Sequence, residues 1–250
     1  MPYEVLATAT TPALVVYLID VSASMMMPMS EDKRRIDVVM DALGAALRQM
    51  VFRSTKGARV SPRYRVAMYA YSDHVYDLLD GIKPVDRVAH LGIPELSTMR
   101  STRTAKAFQA AERLLKAELP NLQHSPAPLV CHLTDGEFTG DDPEPVAERL
   151  KQLAVGDGAV LVENVFITDD FLTDAIDDPH RWAGITPQTG LTNDYARKLC
   201  RMSSPLPDSY RRMLREANYS ISDGALMVLP GHNSQFITLG FQMSAATPVH

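Results

Sequence analysis

Three oxygen-bearing side chains alternate in Asp20-x-Ser22-x-Ser24, directly after the apolar run Ala13-Leu14-Val15-Val16-Tyr17-Leu18-Ile19. That run has the length and β-branched content of a strand buried on both faces. A carboxylate and two hydroxyls gathered at such a strand end need protons or a cation to satisfy them. Hard oxygen donors suit Mg²⁺, Mn²⁺ or Ca²⁺, and they do not suit zinc or copper. Alone, the pattern also fits a turn or a helix cap. Two further apolar runs end the same way: Leu129-Val130-Cys131-His132-Leu133-Thr134 runs into Asp135-Gly136-Glu137, and 159–168 runs into Asp169-Asp170.

The elements that must position these groups alternate along the chain. Ile36, Val39, Met40, Leu43, Leu47, Met50 and Val51 recur at helical spacing, predicting a helix from about Lys33 to between Ser54 and Gly57. Tyr64 to Tyr71 reads as a strand, and the turn Ser72-Asp73-His74 leads into a second, Val75 to Leu79, making one antiparallel edge. The segment from Leu91 to Arg100 reads as loop. A helix follows from Thr104 to Leu115, stopped by Pro120. Further helices are expected over 143–154, 193–202 and 208–217, and a last strand over 224–229. Residues 236–243 fit either a short helix or a strand. The expected fold class is α/β: a doubly wound, mainly parallel, Rossmann-like sheet with helices on both faces and one antiparallel edge strand. In such sheets sites form at the carboxyl ends of strands, where Asp20, Asp135 and Asp169 all fall.

Composition sets the bounds. The chain has 250 residues, 46% of them hydrophobic, which suffices for a full core. We read residues 1–250 as a single domain, with the motifs in 13–170 and the elements of 190–243 in the same core. A net charge of −5 argues against a nucleic-acid binder. Cys131 and Cys200 alone build neither a disulfide framework nor a four-cysteine zinc site, and a reducing cytoplasm is the simplest setting. Neither a signal sequence nor a membrane span is read, so the expected location is cytoplasmic.

Asp20-x-Ser22-x-Ser24, Ser101-Thr102-Arg103-Thr104-Ala105 before a helix, and Leu133-Thr134-Asp135-Gly136-Glu137 together resemble the von Willebrand factor A (vWA) family. In that family these three segments make a metal-ion-dependent adhesion site, or MIDAS. The resemblance covers the first 170 residues or so by motif and the rest by element pattern. It implies a Mg²⁺ or Mn²⁺ ion, with Ca²⁺ less favoured, held directly by Ser22 and Ser24. Thr102 would bind directly or through water, and Asp20 and Asp135 directly or through coordinated water. It implies no catalytic residues. The open position would take an Asp or Glu from a protein partner. The chain is similar to stand-alone intracellular bacterial vWA proteins, including those of tellurite-resistance-type clusters. That similarity suggests a signalling or stress-response role with a protein kinase, a PP2C-type phosphatase or a MoxR-type ATPase, and no nucleic-acid or membrane partner.

Two alternatives stand beside this reading. A phosphohydrolase of haloacid-dehalogenase type would need a second acid where Ser22 stands. A scaffold with an empty site would not need all five positions filled. Other features have plain readings. Nine basic residues between Lys33 and Arg65 read as a solvated face. Met25-Met26-Met27-Pro28-Met29 reads as a packed loop, or as a pliable apolar rim for a partner. His74 and His132 read as structural, Cys131 as inert and Trp182 as a packing anchor. Asp169 and Asp170 read as helix caps or as selectivity groups, and Glu137 as a solvated carboxylate. The thirteen acidic residues from Asp135 to Asp178 suggest a markedly acidic face.

Overall fold

The computed structural model describes residues 2–30, 32–57, 59–91, 101–174, 176 and 178–245. The chain begins with β1 (Ala13–Asp20), α1 (Arg35–Ser54) and a small hairpin of β2 (Thr55–Lys56) with β3 (Arg59–Val60). Next come β4 (Tyr64–Tyr71), β5 (Val75–Asp77), β6 (Lys83–Pro84), α2 (Val85–Leu91) and α3 (Thr104–Glu118). β7 (Leu129–Thr134), α4 (Glu144–Gln152), a hairpin of β8 (Ala154–Val155) with β9 (Gly158–Ala159), and β10 (Leu161–Phe166) follow. The last elements are α5 (Asp194–Met202), α6 (Asp208–Glu216), β11 (Val228–Pro230) and α7 (Ser234–Ser244).

The main sheet has the order β11-β10-β7-β1-β4-β5, with β6 also paired to β4. β11, β10, β7, β1 and β4 are mutually parallel, and β5 and β6 run antiparallel against β4. Every residue of β1, β7 and β10 is buried, as expected of strands covered on both faces. Side chains alternate between two cores. One holds Val15, Tyr17, Ile19 and Cys131 against α1, α6 and α7. The other holds Leu14, Val16, Leu18 and Val130 against α3, α4 and α5. The chain leaves β1 for β4 on one side and returns to β7 on the other. The strand order therefore reverses between β1 and β7, which opens a crevice at their carboxyl ends.

The differences from the sequence reading are local. The expected strand over 159–168 forms its ladder only from Leu161 to Phe166, because Ala159 closes the β8–β9 hairpin. The last strand shortens to Val228–Pro230, and Leu226 makes only an isolated bridge with Pro205. Residues 236–243 are helical, within α7, which starts at Asn233: its side chain accepts from the backbone N–H of Gln235 and Phe236 at 3.0 and 3.1 Å. Asp169 and Asp170 cap no helix, since a loop separates β10 from α5. Of the segment read as loop, Leu91 ends α2 and the remainder lies outside the described residues.

Candidate metal centre

Asp20 is the last residue of β1 and is fully buried. Its Oδ1 accepts the Ser22 backbone N–H at 2.8 Å, and its Oδ2 accepts the Thr134 hydroxyl, from the end of β7, at 2.7 Å. Burial pushes its carboxyl up to about 6, against the lowering effect of those donors. After Asp20 the chain enters a short 3-10 turn, Ala23–Met26, with Ser22 at its N-cap and Ser24 inside it. The Ser22 and Ser24 Oγ atoms lie 3.0 Å apart. The Ser24 hydroxyl donates to Asp135 Oδ1 at 2.6 Å. Asp135 directly follows β7, and its second oxygen accepts from Arg35 Nη1 at 2.8 Å.

Asp20, Ser22, Ser24 and Asp135 thus form one connected cluster at the β1–β7 crevice. Thr102 reaches the same sheet end through its backbone. Its N–H donates to Thr139 Oγ1 at 3.0 Å, and its carbonyl accepts the Thr139 N–H at 2.8 Å. The next residue, Arg103, donates its N–H to Ser72 O, just past β4, at 2.9 Å. Thr102 is therefore fixed between the loops that follow β4 and β7.

The donor set fits a small divalent cation. Adjacent ligands of an octahedral Mg²⁺ at about 2.1 Å are separated by about 3.0 Å, the spacing of the two serine oxygens. Among the described residues there is no group of three or more His, Cys, Asp or Glu side chains placed for a metal, so any site here depends on hydroxyls.

The neighbouring residues are placed as follows. Glu137 is exposed. Asp169 and Asp170 are exposed on the loop after β10, where the Asp170 carbonyl accepts from Thr192 and Asn193. His132 and Cys131 are buried within β7. Trp182 packs edge-on against Phe236, with ring centroids 5.0 Å apart. The methionine loop divides: Met25 is buried in the core, while Met26 and Met27 are exposed beside the cluster. The acidic stretch does not make one acidic face. Glu163 is buried in the core, and Asp157 is buried accepting the backbone N–H groups of Glu4, Val5 and Ala127. Asp142 and Glu144 pair with Lys198 and Arg201. Sequence reasoning missed Thr134 and Arg35, the groups that hold Asp20 and Asp135; nothing local marks them, since Arg35 lies 100 positions from its partner.

No protein-family model matches the chain, and no curated protein matches it. Solved structures do. Proximal thread matrix protein 1 from the mussel byssus, with a zinc-occupied MIDAS motif, is 10% identical, with a TM-score of 0.52. The match covers 96% of this chain and 47% of that one, so the chain spans about half its length. A mutant of the PilB minor pilin from Streptococcus sanguinis matches at 10% identity and a TM-score of 0.54, over 94% of this chain and 62% of that one. The SpRpn10 VWA domain matches at 13% identity and a TM-score of 0.45, over 63% of this chain and 77% of that one. Among the described residues no helix is long and apolar enough to cross a membrane. The mainly parallel sheet, its antiparallel edge and its two helical layers are a vWA-like α/β fold.

Proposed function

We propose that this chain is a protein-interaction module that captures an acidic side chain of a partner through a divalent cation. Ser22, Ser24 and Thr102 would hold the cation with their hydroxyls, and Asp20 and Asp135 would hold it directly or through water. The observation that carries this reading is the 3.0 Å spacing of the two serine oxygens beside Asp135, at the strand-order reversal. With few carboxylates around it, the cation would supply an electrophilic position open to an outside carboxylate. The chain's own groups do the positioning. Thr134 and the Ser22 N–H fix the Asp20 carboxyl, and Ser24 orients Asp135. The exposed Met26 and Met27 offer a pliable apolar rim. Mg²⁺ or Mn²⁺ suits this oxygen set. The zinc in the mussel protein's MIDAS motif supports a divalent ion in such a site without fixing which one. We place the module in the cytoplasm, in bacterial signalling or stress response of the tellurite-resistance type. The partner kinds are a protein kinase, a PP2C-type phosphatase or a MoxR-type ATPase. The phosphohydrolase alternative has less support, because Asp20 is fully buried with both oxygens engaged and so is poorly placed as a nucleophile.

The test is a thermal melt across a Mg²⁺ and a Mn²⁺ titration, for wild type and for the double substitution Ser22→Ala, Ser24→Ala. A ligand that binds only the folded state raises the melting temperature with its concentration. The wild type should rise by several degrees and the variant should stay flat. Equal responses would refute the assignment of the site.

A further inference from the structure

The Asp135 side chain has no solvent exposure, and its partner is a cation that belongs to the chain itself. Arg35 is the first residue of α1; its side chain is 18% exposed, and its guanidinium donates to Asp135 Oδ2 at 2.8 Å. The other Asp135 oxygen takes the Ser24 hydroxyl, which in turn faces Ser22 at 3.0 Å. Arginine does not lose its charge in a protein. A positive group therefore stands permanently on the carboxylate that a divalent ion would share. Like charges a few ångströms apart in a half-buried site repel strongly.

We propose that Arg35 is the built-in counter-cation of this site: it holds Asp135 and Ser24 in place without metal, and a divalent ion must displace its guanidinium to bind. This rests on the metal-dependent reading above and makes Arg35 a residue that sets cation affinity. The displacement would reach the surface. The Arg35 N–H donates to the Met27 carbonyl at 3.0 Å, and the neighbouring Arg34 Nη1 lies 3.6 Å from Met26 Sδ. Pro28 and Arg34 form a bridge, and the Met29 N–H donates to Lys33 O at 2.8 Å. The methionine rim is thus tied to the segment that carries the guanidinium, and cation occupancy and rim position would change together.

Mn²⁺ affinity, measured by electron paramagnetic resonance on wild type, Arg35→Gln and Arg35→Lys, tests the proposal. Arg35→Gln should bind Mn²⁺ at least tenfold more tightly than wild type and melt lower in EDTA, because Asp135 then lacks its partner. Arg35→Lys, which keeps the charge, should stay within threefold of wild type. Should Arg35→Gln fail to fold, the wild type still decides. Its Arg35 Nη–H signals in nuclear magnetic resonance, identified by their loss in Arg35→Lys, should lose protection from exchange as Mg²⁺ saturates, because Nη1 is the donor to Asp135. Equal Mn²⁺ affinity in wild type and Arg35→Gln, or an Arg35 signal that Mg²⁺ leaves unchanged, overturns the role of Arg35 and leaves the metal site standing. Binding by Arg35→Gln alone supports the counter-cation and removes the metal-dependent reading for the wild type. Binding by neither overturns both.

Discussion

Two rows of polar side chains pass through β7 and β10 at adjacent positions, on opposite faces of the sheet, and they are built differently. On the face under α3, α4 and α5 the row is closed. The Tyr71 hydroxyl meets His132 Nε2 at 2.6 Å, and His132 Nδ1 meets Asn164 Oδ1 at 2.7 Å. Asn164 Nδ2 then donates to Ser203 Oγ at 2.8 Å, and Ser203 donates to Leu199 O in α5 at 2.8 Å. Each donor has an acceptor, which fixes the neutral tautomer with Nδ1–H. Burial pulls the ring's titration down to about 4, so it stays neutral. One residue earlier in β7 and β10, facing α7, stand Cys131 and Glu163, with Tyr17 of β1 paired beside Cys131. Tyr17 bonds Ser244 of α7 at 2.6 Å, but neither Glu163 oxygen has a partner in good hydrogen-bond geometry among the described residues, and the Cys131 thiol beside it, a weak donor, only partly offsets its burial. Burying polar groups costs little when the chain of donors closes and much when it ends on an orphan. The face beside α5 is locked, and the face beside α7 carries an unresolved cost.

The most severe way to break the comparison is to remove the covering of the second face. We expect the elements after Pro207 to belong to the same cooperative unit as the motif-bearing strands. α6 and α7 contribute Tyr210, Leu214, Phe236, Ile237, Leu239, Phe241 and Met243 to the core that contains Tyr17 and Cys131. A chain ending at Pro207 should therefore lose its cooperative melt and expose apolar surface. A soluble fragment melting as sharply as the intact protein would mean that the C-terminal elements are separable.

The next largest effect is expected at the centre of the closed row. Asn164→Leu keeps approximate volume but leaves the His132 Nδ1–H without its acceptor and takes the donor away from Ser203 Oγ, whose own hydroxyl still reaches Leu199 O. Stranding buried polar groups of this kind should cost about 3 kcal/mol. Urea denaturation should show the midpoint falling at constant slope. A loss under about 1 kcal/mol would mean that the row is incidental to the packing.

Part of this was legible in the sequence. Asp20, Ser22, Ser24 and Asp135 were readable because strand ends and alternate spacing are local signals, and the parallel sheet fixes where strand ends meet. Thr102 was singled out by the family resemblance alone, in the segment ahead of α3, and its tie to Thr139 was not legible. Arg35 read as one more basic residue of a charged stretch, because its partner arrives only through the β1–β7 pairing. Glu163 read as part of an acidic tract, although it sits inside a fully buried strand. α7 was ambiguous for a physical reason. Ile237, Leu239, Phe241 and Met243 alternate like a strand, and the helix is buried on most sides, so no polar stripe reveals its period.

The smallest expected effect is a gain, and it separates the two faces by the sign of their pH dependence. Burial raises the Glu163 carboxyl well above its ordinary 4.5, so the folded chain keeps it protonated where the unfolded chain ionises. A raised folded value means that the stability is fully present below 4.5 and is lost as pH climbs through the folded value. The wild type should lose up to about 1.4 kcal/mol per pH unit across that window. Glu163→Met removes the charge and both orphaned oxygens while keeping a flexible side chain of similar length. That flexibility matters, because α7 crosses here at Gly240, where an added Cβ would come 3.2 Å from Glu163 Oε1. Measured in EDTA, the variant should be nearest wild type at pH 5 and should gain on it toward pH 8, by up to about 1.4 kcal/mol per pH unit. Glu163→Gln should lose the same slope yet remain less stable than Glu163→Met, since its amide is still unpaired. Wild type and Glu163→Met curves that run parallel from pH 5 to 8 would mean that the carboxyl is compensated after all, and that both faces are closed in the same way.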